Sequence, residues 1–216
     1  MKFWLAMMVS TFLAVAHASE ATVYESCTDG EGKTVPAEID YALPVLVRSV
    51  EDHAQRTIRY NPSLLPRLKP SARLFFFARE CSRQALHLPE TGAEPTLAQA
   101  RQADCVAVAT LLGGDLLQRA DLAALQADLR FSPEEWTLLP GPARDFDFAT
   151  CPRRDALKMP LPTLPTVLQA TWNACVRVCG DRLRTCQKSC RGEACDSRCL
   201  AVYDKCEAAC GKRPDE

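Results

Sequence analysis

The amino-acid sequence predicts an α+β chain, predominantly helical, in which a first domain with a small sheet is followed by a C-terminal antiparallel helical hairpin stapled by disulfides. Three observations predict it. Eight of the twelve cysteines fall between Cys175 and Cys210 with a doubled spacing. Prolines at 152, 160, 162 and 165 interrupt the chain just before them. Upstream, a short strand-like segment precedes two stretches of helical periodicity.

The hairpin follows from the cysteine spacing. Cys175, Cys179, Cys186 and Cys190 read C-x3-C-x6-C-x3-C, and Cys195, Cys199, Cys206 and Cys210 repeat it. At 100° per residue each set lands within a sector of about 60°, one stripe on one helix. Arg191-Gly192-Glu193-Ala194 breaks the stripe and supplies a short turn, so the two helices run antiparallel. Antiparallel partners have residue numbers of constant sum. Cys190 with Cys195, Cys186 with Cys199, Cys179 with Cys206 and Cys175 with Cys210 all obey one sum. The six-residue gaps leave an open layer where Leu183 is expected to face Val202, with Arg182 near Tyr203. The arrangement resembles the twin cysteine-motif helical hairpins of small oxidised proteins. Two helices of this length lack a sufficient core, and the staples supply the difference.

The start of the chain agrees with such oxidation. Lys2, an apolar run from Phe3 to Val15 and the small-x-small site Ala16-His17-Ala18 read as a signal peptide, residues 1–18, too short to span a bilayer stably. The mature chain is expected to begin at Ser19 and to keep all twelve cysteines, an even count that favours full pairing in a periplasmic or secreted protein. The net charge of −1 argues against a nucleic-acid partner or an acidic membrane surface, and no second apolar run reaches spanning length.

The prolines make residues 152–166 a stiff connector. The first domain therefore spans about 24–151 and the hairpin about 167–211. Within the first domain, residues 57–65 read as a short strand ending at Asn61-Pro62. Residues 71–88 read as a helix with Ser71 as N-cap and Leu74, Phe77, Ala78, Cys81 and Ala85 at helical intervals. Residues 94–114 read as a second helix, with Pro95 near its start and Gly113-Gly114 beyond its end. Phe75, Phe76 and Phe77 are mostly core, with one of them turned toward the neighbouring strand. Trp136 is packing rather than a binding platform. His53 and His87 are surface or partly buried residues.

The order of these segments, with ARECSRQ on the first helix and AQARQADC on the second, resembles the zincin metallopeptidases whose third zinc ligand is a glutamate in an ExxAD motif. The resemblance covers about residues 57–112, with looser likeness in LPGPARDFDFATC. It implies a strand followed by an active-site helix and a second ligand-bearing helix. In HExxH two histidines one turn apart hold zinc and the glutamate between them activates water. Here the histidine positions are Arg79 and Arg83, and the glutamate-ligand position is Ala100. Only Glu80, at the general-base position, and Asp104, at the outer-shell position, match the motifs. Guanidinium groups do not coordinate cations, so the resemblance implies a domain that has lost its metal. It also implies a Cys81–Cys105 bridge between the two helices in place of the zinc, which leaves Cys27 to pair with Cys151. Without the resemblance, Arg79, Glu80 and Arg83 read as a charge-balanced, exposed helical face.

The expected function is that of a non-catalytic binding or scaffold protein without cofactor or metal, whose partner is another envelope protein or a peptide. The alternative is a thiol-based metal-binding or redox protein using the hairpin cysteines, since soft sulfur selects copper(I) or zinc; the C-x3-C spacing lacks the form of common redox centres. A peptidase with substitute ligands is a third reading.

Overall fold

A computed structural model describes residues 22–52, 55–88 and 95–214. The predicted signal peptide and His53 lie outside the described residues. Four strands, β1 (Ser26–Thr28), β2 (Thr34–Ile39), β3 (Val47–Asp52) and β4 (Gln55–Tyr60), form a mixed sheet of order β1-β2-β4-β3. β1 and β2 pair antiparallel, Ser26 opposite Pro36. Asp29 closes their turn by accepting hydrogen bonds from the Glu31 and Lys33 amides, and Gly32 supplies a φ of 81°. β2 lies parallel to β4, Ala37 opposite Ile58, while β3 pairs antiparallel with β4 on its other side, Val47 opposite Tyr60.

Six α-helices follow: α1 (Pro70–Ala85), α2 (Leu97–Gly113), α3 (Leu122–Asp128), α4 (Pro133–Trp136), α5 (Val167–Ser189) and α6 (Glu193–Ala209). α1 begins one residue before the expected Ser71 cap. Pro70 occupies the first helical position, where its missing N–H is no loss, and Lys69 becomes the N-cap. α2 is capped by Thr96, whose hydroxyl accepts from the Gln99 amide while the Gln99 side chain accepts from the Thr96 amide. Thr166 and Gln169 repeat this capping box at the start of α5.

α1 packs against the sheet on one side and against α2 on another. Phe75, Phe76 and Phe77 are all buried. Phe77 is the one turned to the strands, stacking on Tyr24 at 4.5 Å and meeting Tyr60 edge-on at 6.1 Å. Phe75 and Phe76 face the later loops, where Phe146 packs on both and Trp136 stacks on Phe146. His87 is exposed at the end of this region.

The two expected bridges of the first domain, Cys27–Cys151 and Cys81–Cys105, are not made. Cys105 bonds to Cys151 instead, with their Cα atoms 5.2 Å apart. The chain after α4 returns along α2 through a 3-10 turn, Phe148–Thr150, and delivers Cys151 there. Cys81 lies about 200° around α1 from Arg79, so it cannot face α2 as Arg79 does. It faces β1, in the core beside Cys27. Both cysteines are buried and unbridged.

In the hairpin, Cys175–Cys210, Cys179–Cys206, Cys186–Cys199 and Cys190–Cys195 are bonded. The open layer differs from the expected one. Leu183 and Tyr203 are the buried pair, while Val202 is 61% exposed and Arg182 is also exposed. Docking against the first domain selects this face. Tyr41, in the loop after β2, is buried in one cluster with Trp172, Val176, Leu183 and Tyr203.

Gly180 permits the approach: a Cβ there would stand 2.9 Å from the Tyr41 carbonyl oxygen. Asn61 fixes the loop, its Nδ2 donating to the carbonyls of Tyr41 and Leu43 at 3.0 and 2.9 Å. Arg213 closes the far end, lying over Trp172 and pairing with Glu38 at 3.4 Å. The proline-rich connector is also tethered, through reciprocal backbone hydrogen bonds between Val23 and Thr163. No helix among the described residues is long and apolar enough to cross a membrane.

Candidate functional site

The residues that the zincin resemblance singles out do meet in space, but as a buried ion network. Arg79 and Glu80 are fully buried, Arg83 and Asp104 nearly so, and Ala100 is buried between them in sequence. This corrects the expectation of an exposed, solvated face on α1. The face is inside because α2 and the loop at 141–146 close over it.

Arg79 Nε donates to Asp104 Oδ1 at 3.0 Å. Arg144 reaches the same carboxylate from that loop, Nε to Oδ2 and Nη2 to Oδ1, both at 2.7 Å. Its guanidinium also lies over the rings of Trp136 and Phe146, at 5.4 and 4.8 Å. Glu80 Oε1 accepts from Arg83 Nη1 at 2.7 Å, from the Ser49 hydroxyl at 2.7 Å and from the Ser49 amide at 2.9 Å. The two halves are joined by the 3.9 Å approach of Arg79 Nη1 to Glu80 Oε2. Sequence reading missed Arg144 and Ser49; the ARDFDF segment offered charge and aromatics together but no spacing that pointed back to Asp104.

Three cations thus face two carboxylates. Burial lowers the Arg79 guanidinium to about 10, Arg144 adding repulsion and Asp104 and Glu80 opposing it, so the group stays charged at neutral pH. Its Nη1 and Nη2 make no hydrogen bond among the described residues. Gly141, at φ 79°, presses against it, and a Cβ there would lie 2.8 Å from Nη2. These residues do not fit a zinc ion. Arg79, Arg83 and Ala100 offer no donor, and both carboxylates are committed to guanidinium groups.

Two other places carry chemistry. At the hairpin tip the sulfurs of Cys186, Cys190 and Cys199 lie within 4.8 Å of one another, the one such metal-ligand grouping among the described residues, but all three are in disulfides. At the junction of hairpin and first domain, a cleft of about 340 Å³ opens between Tyr24, Tyr60 and Phe77 on one wall and Arg177 and Asp181 of α5 on the other. Its volume lies in the range of small-molecule sites. No protein-family model, no curated protein and no solved structure matches this chain.

Proposed function

We propose that the chain is a non-catalytic binding or scaffold protein of an oxidising extracytoplasmic space, built on a metallopeptidase-like domain that has exchanged its metal ligands for an ion network. Its partner is another envelope protein or a peptide. The observation that carries this reading is the mutual pairing of Arg79 and Arg144 with Asp104, and of Arg83 with Glu80. A general base needs an oxygen that water can reach, and Glu80 is buried with Oε1 accepting three hydrogen bonds. Five disulfides among the described residues support the compartment. The test is elemental analysis together with casein hydrolysis on protein purified without chelator. The expected result is no stoichiometric zinc and no cleavage. Hydrolysis abolished by Glu80→Gln would overturn the reading.

The convergence of Cys186, Cys190 and Cys199 favours a second reading, a soft-metal site in the hairpin. A tight stoichiometric copper(I) complex in protein never exposed to reductant would place it first. Without reduction, the paired sulfurs are expected to bind none.

A further inference from the structure

The cleft at the hairpin junction contains an imbalance that the fold alone does not explain. Buried guanidinium groups elsewhere in the molecule have carboxylate partners: Arg79 and Arg144 share Asp104, and Arg83 has Glu80. Among the described residues, the two arginines of the cleft have none. Arg73, from α1, spends Nη2 on the carbonyls of Leu64 and Leu65, at 2.9 and 2.8 Å, while its Nη1 is enclosed and unpaired. Burial lowers its pKa, and its charge reaches the phenol of Tyr24. Arg177, half-buried on α5 across the cleft, has an enclosed and unpaired Nε and lies beside the Tyr41 phenol.

The nearby acid does not balance them. Asp181 is exposed and pairs with Arg184. The polar groups of the intervening loop are also occupied: the Asn61 amide holds two carbonyls, and the Ser63 hydroxyl donates to Asn61 Oδ1 at 2.7 Å. What remains open is an aromatic wall flanked by two uncompensated positive charges. Leaving a desolvated cation without a counterion is costly, and an anion held nearby lowers that cost.

We propose that this cleft binds a small amphipathic carboxylate, with its apolar body against Tyr24, Tyr60 and Phe77 and its charge compensating Arg73 and Arg177. The site is completed only when the hairpin is docked, because Arg177 comes from α5 and Arg73 from α1. Ligand binding therefore favours the docked arrangement by mass action. The inference stands independently of the chain's proposed relation to metallopeptidases.

Octanoate is the probe, with 1-octanol as the neutral molecule of equal chain length. Calorimetric titration of the full chain, disulfides intact, gives the two affinities, and amide chemical-shift mapping locates the site. Octanoate is expected to bind about tenfold or more tightly than octanol, a modest return for one screened charge pair. Shifts are expected to centre on Tyr24, Tyr60 and Arg177. Arg177 makes no ion pair among the described residues, so Arg177→Gln should remain folded and lose the preference for octanoate, while Arg177→Lys keeps it. Equal affinity for the two probes, an octanoate preference unchanged in Arg177→Gln, or no octanoate binding up to its solubility overturns the proposal.

Discussion

Replacing Asp104 by Asn removes the one carboxylate shared by two buried guanidinium groups. In the native network it accepts three charged hydrogen bonds, at 3.0, 2.7 and 2.7 Å. At an effective dielectric of about 20, a unit charge pair about 4 Å apart interacts by roughly 4 kcal/mol. Desolvation offsets much of that in the intact network, but Asp104→Asn leaves the desolvated arginines behind. Asn also turns an amide donor toward donors. Breaking a buried pair in this way costs about 3–5 kcal/mol. With a urea slope of about 2 kcal/mol per molar, the unfolding midpoint should fall by about 1.5–2.5 M. The assay is urea denaturation followed by far-ultraviolet circular dichroism on protein with its disulfides intact. The exposed Asp204→Asn is the control, expected within about 0.5 kcal/mol of wild type. A loss below about 1 kcal/mol for Asp104→Asn would refute the claim that this carboxylate neutralises Arg79 and Arg144.

Gly141→Ala meets both a left-handed backbone and the Arg79 guanidinium, whereas Gly32→Ala, at φ 81°, meets only the backbone cost. Gly141→Ala should lose about 1–3 kcal/mol in urea denaturation and exceed Gly32→Ala; equal losses would remove the contact from the argument. The Arg67 guanidinium holds Glu135 down at about 2, against an ordinary 4.5. A depressed carboxylate stabilises the fold above its unfolded value, so this contribution is full above about pH 4.5 and disappears as pH falls toward 2. Arg67 is 46% exposed, and the pair is worth about 1 kcal/mol at most. The stability gap between wild type and Glu135→Gln should close over that window in acid-titrated thermal melts. Burial and the Cys27 thiol push the Cys81 thiol well above its usual range. Iodoacetamide without reductant should therefore leave the native protein unlabelled and add two labels in guanidinium, by intact mass; no label in guanidinium would mean that Cys27 and Cys81 are bridged.

The hairpin was legible because its register depends on local arithmetic. Helical spacing places the cysteines on stripes, and the short turn fixes which rungs oppose; the same four pairs are bonded in the structure. The β4 strand and the first two helices were legible for the same reason, since proline and glycine placement and apolar periodicity act within a few positions. The burial of Arg79, Glu80 and Arg83 was not legible. Charged side chains read as surface unless their partners are known, and Arg144 lies forty residues beyond Asp104. Nor did spacing reveal Cys105–Cys151, which depends on the path of the chain after α4. The inward turn of Leu183 and Tyr203 was hidden too, because a stripe of cysteines does not say which flank of the hairpin meets Tyr41.

The placement of the disulfides divides the molecule by how it can be severed. A single backbone cut between Cys105 and Cys151, or between Cys175 and Cys210, leaves the fragments covalently joined. Between Cys105 and Cys210, residues 152–174 alone lie outside any closed loop. A cut there leaves no covalent link between the first domain and the tail, which is then held by non-covalent contacts such as the Tyr41 cluster and the Arg213 clasp. Between those two cysteines, resistance to such a release therefore rests on this one short stretch, whose prolines are poor substrates for most endopeptidases.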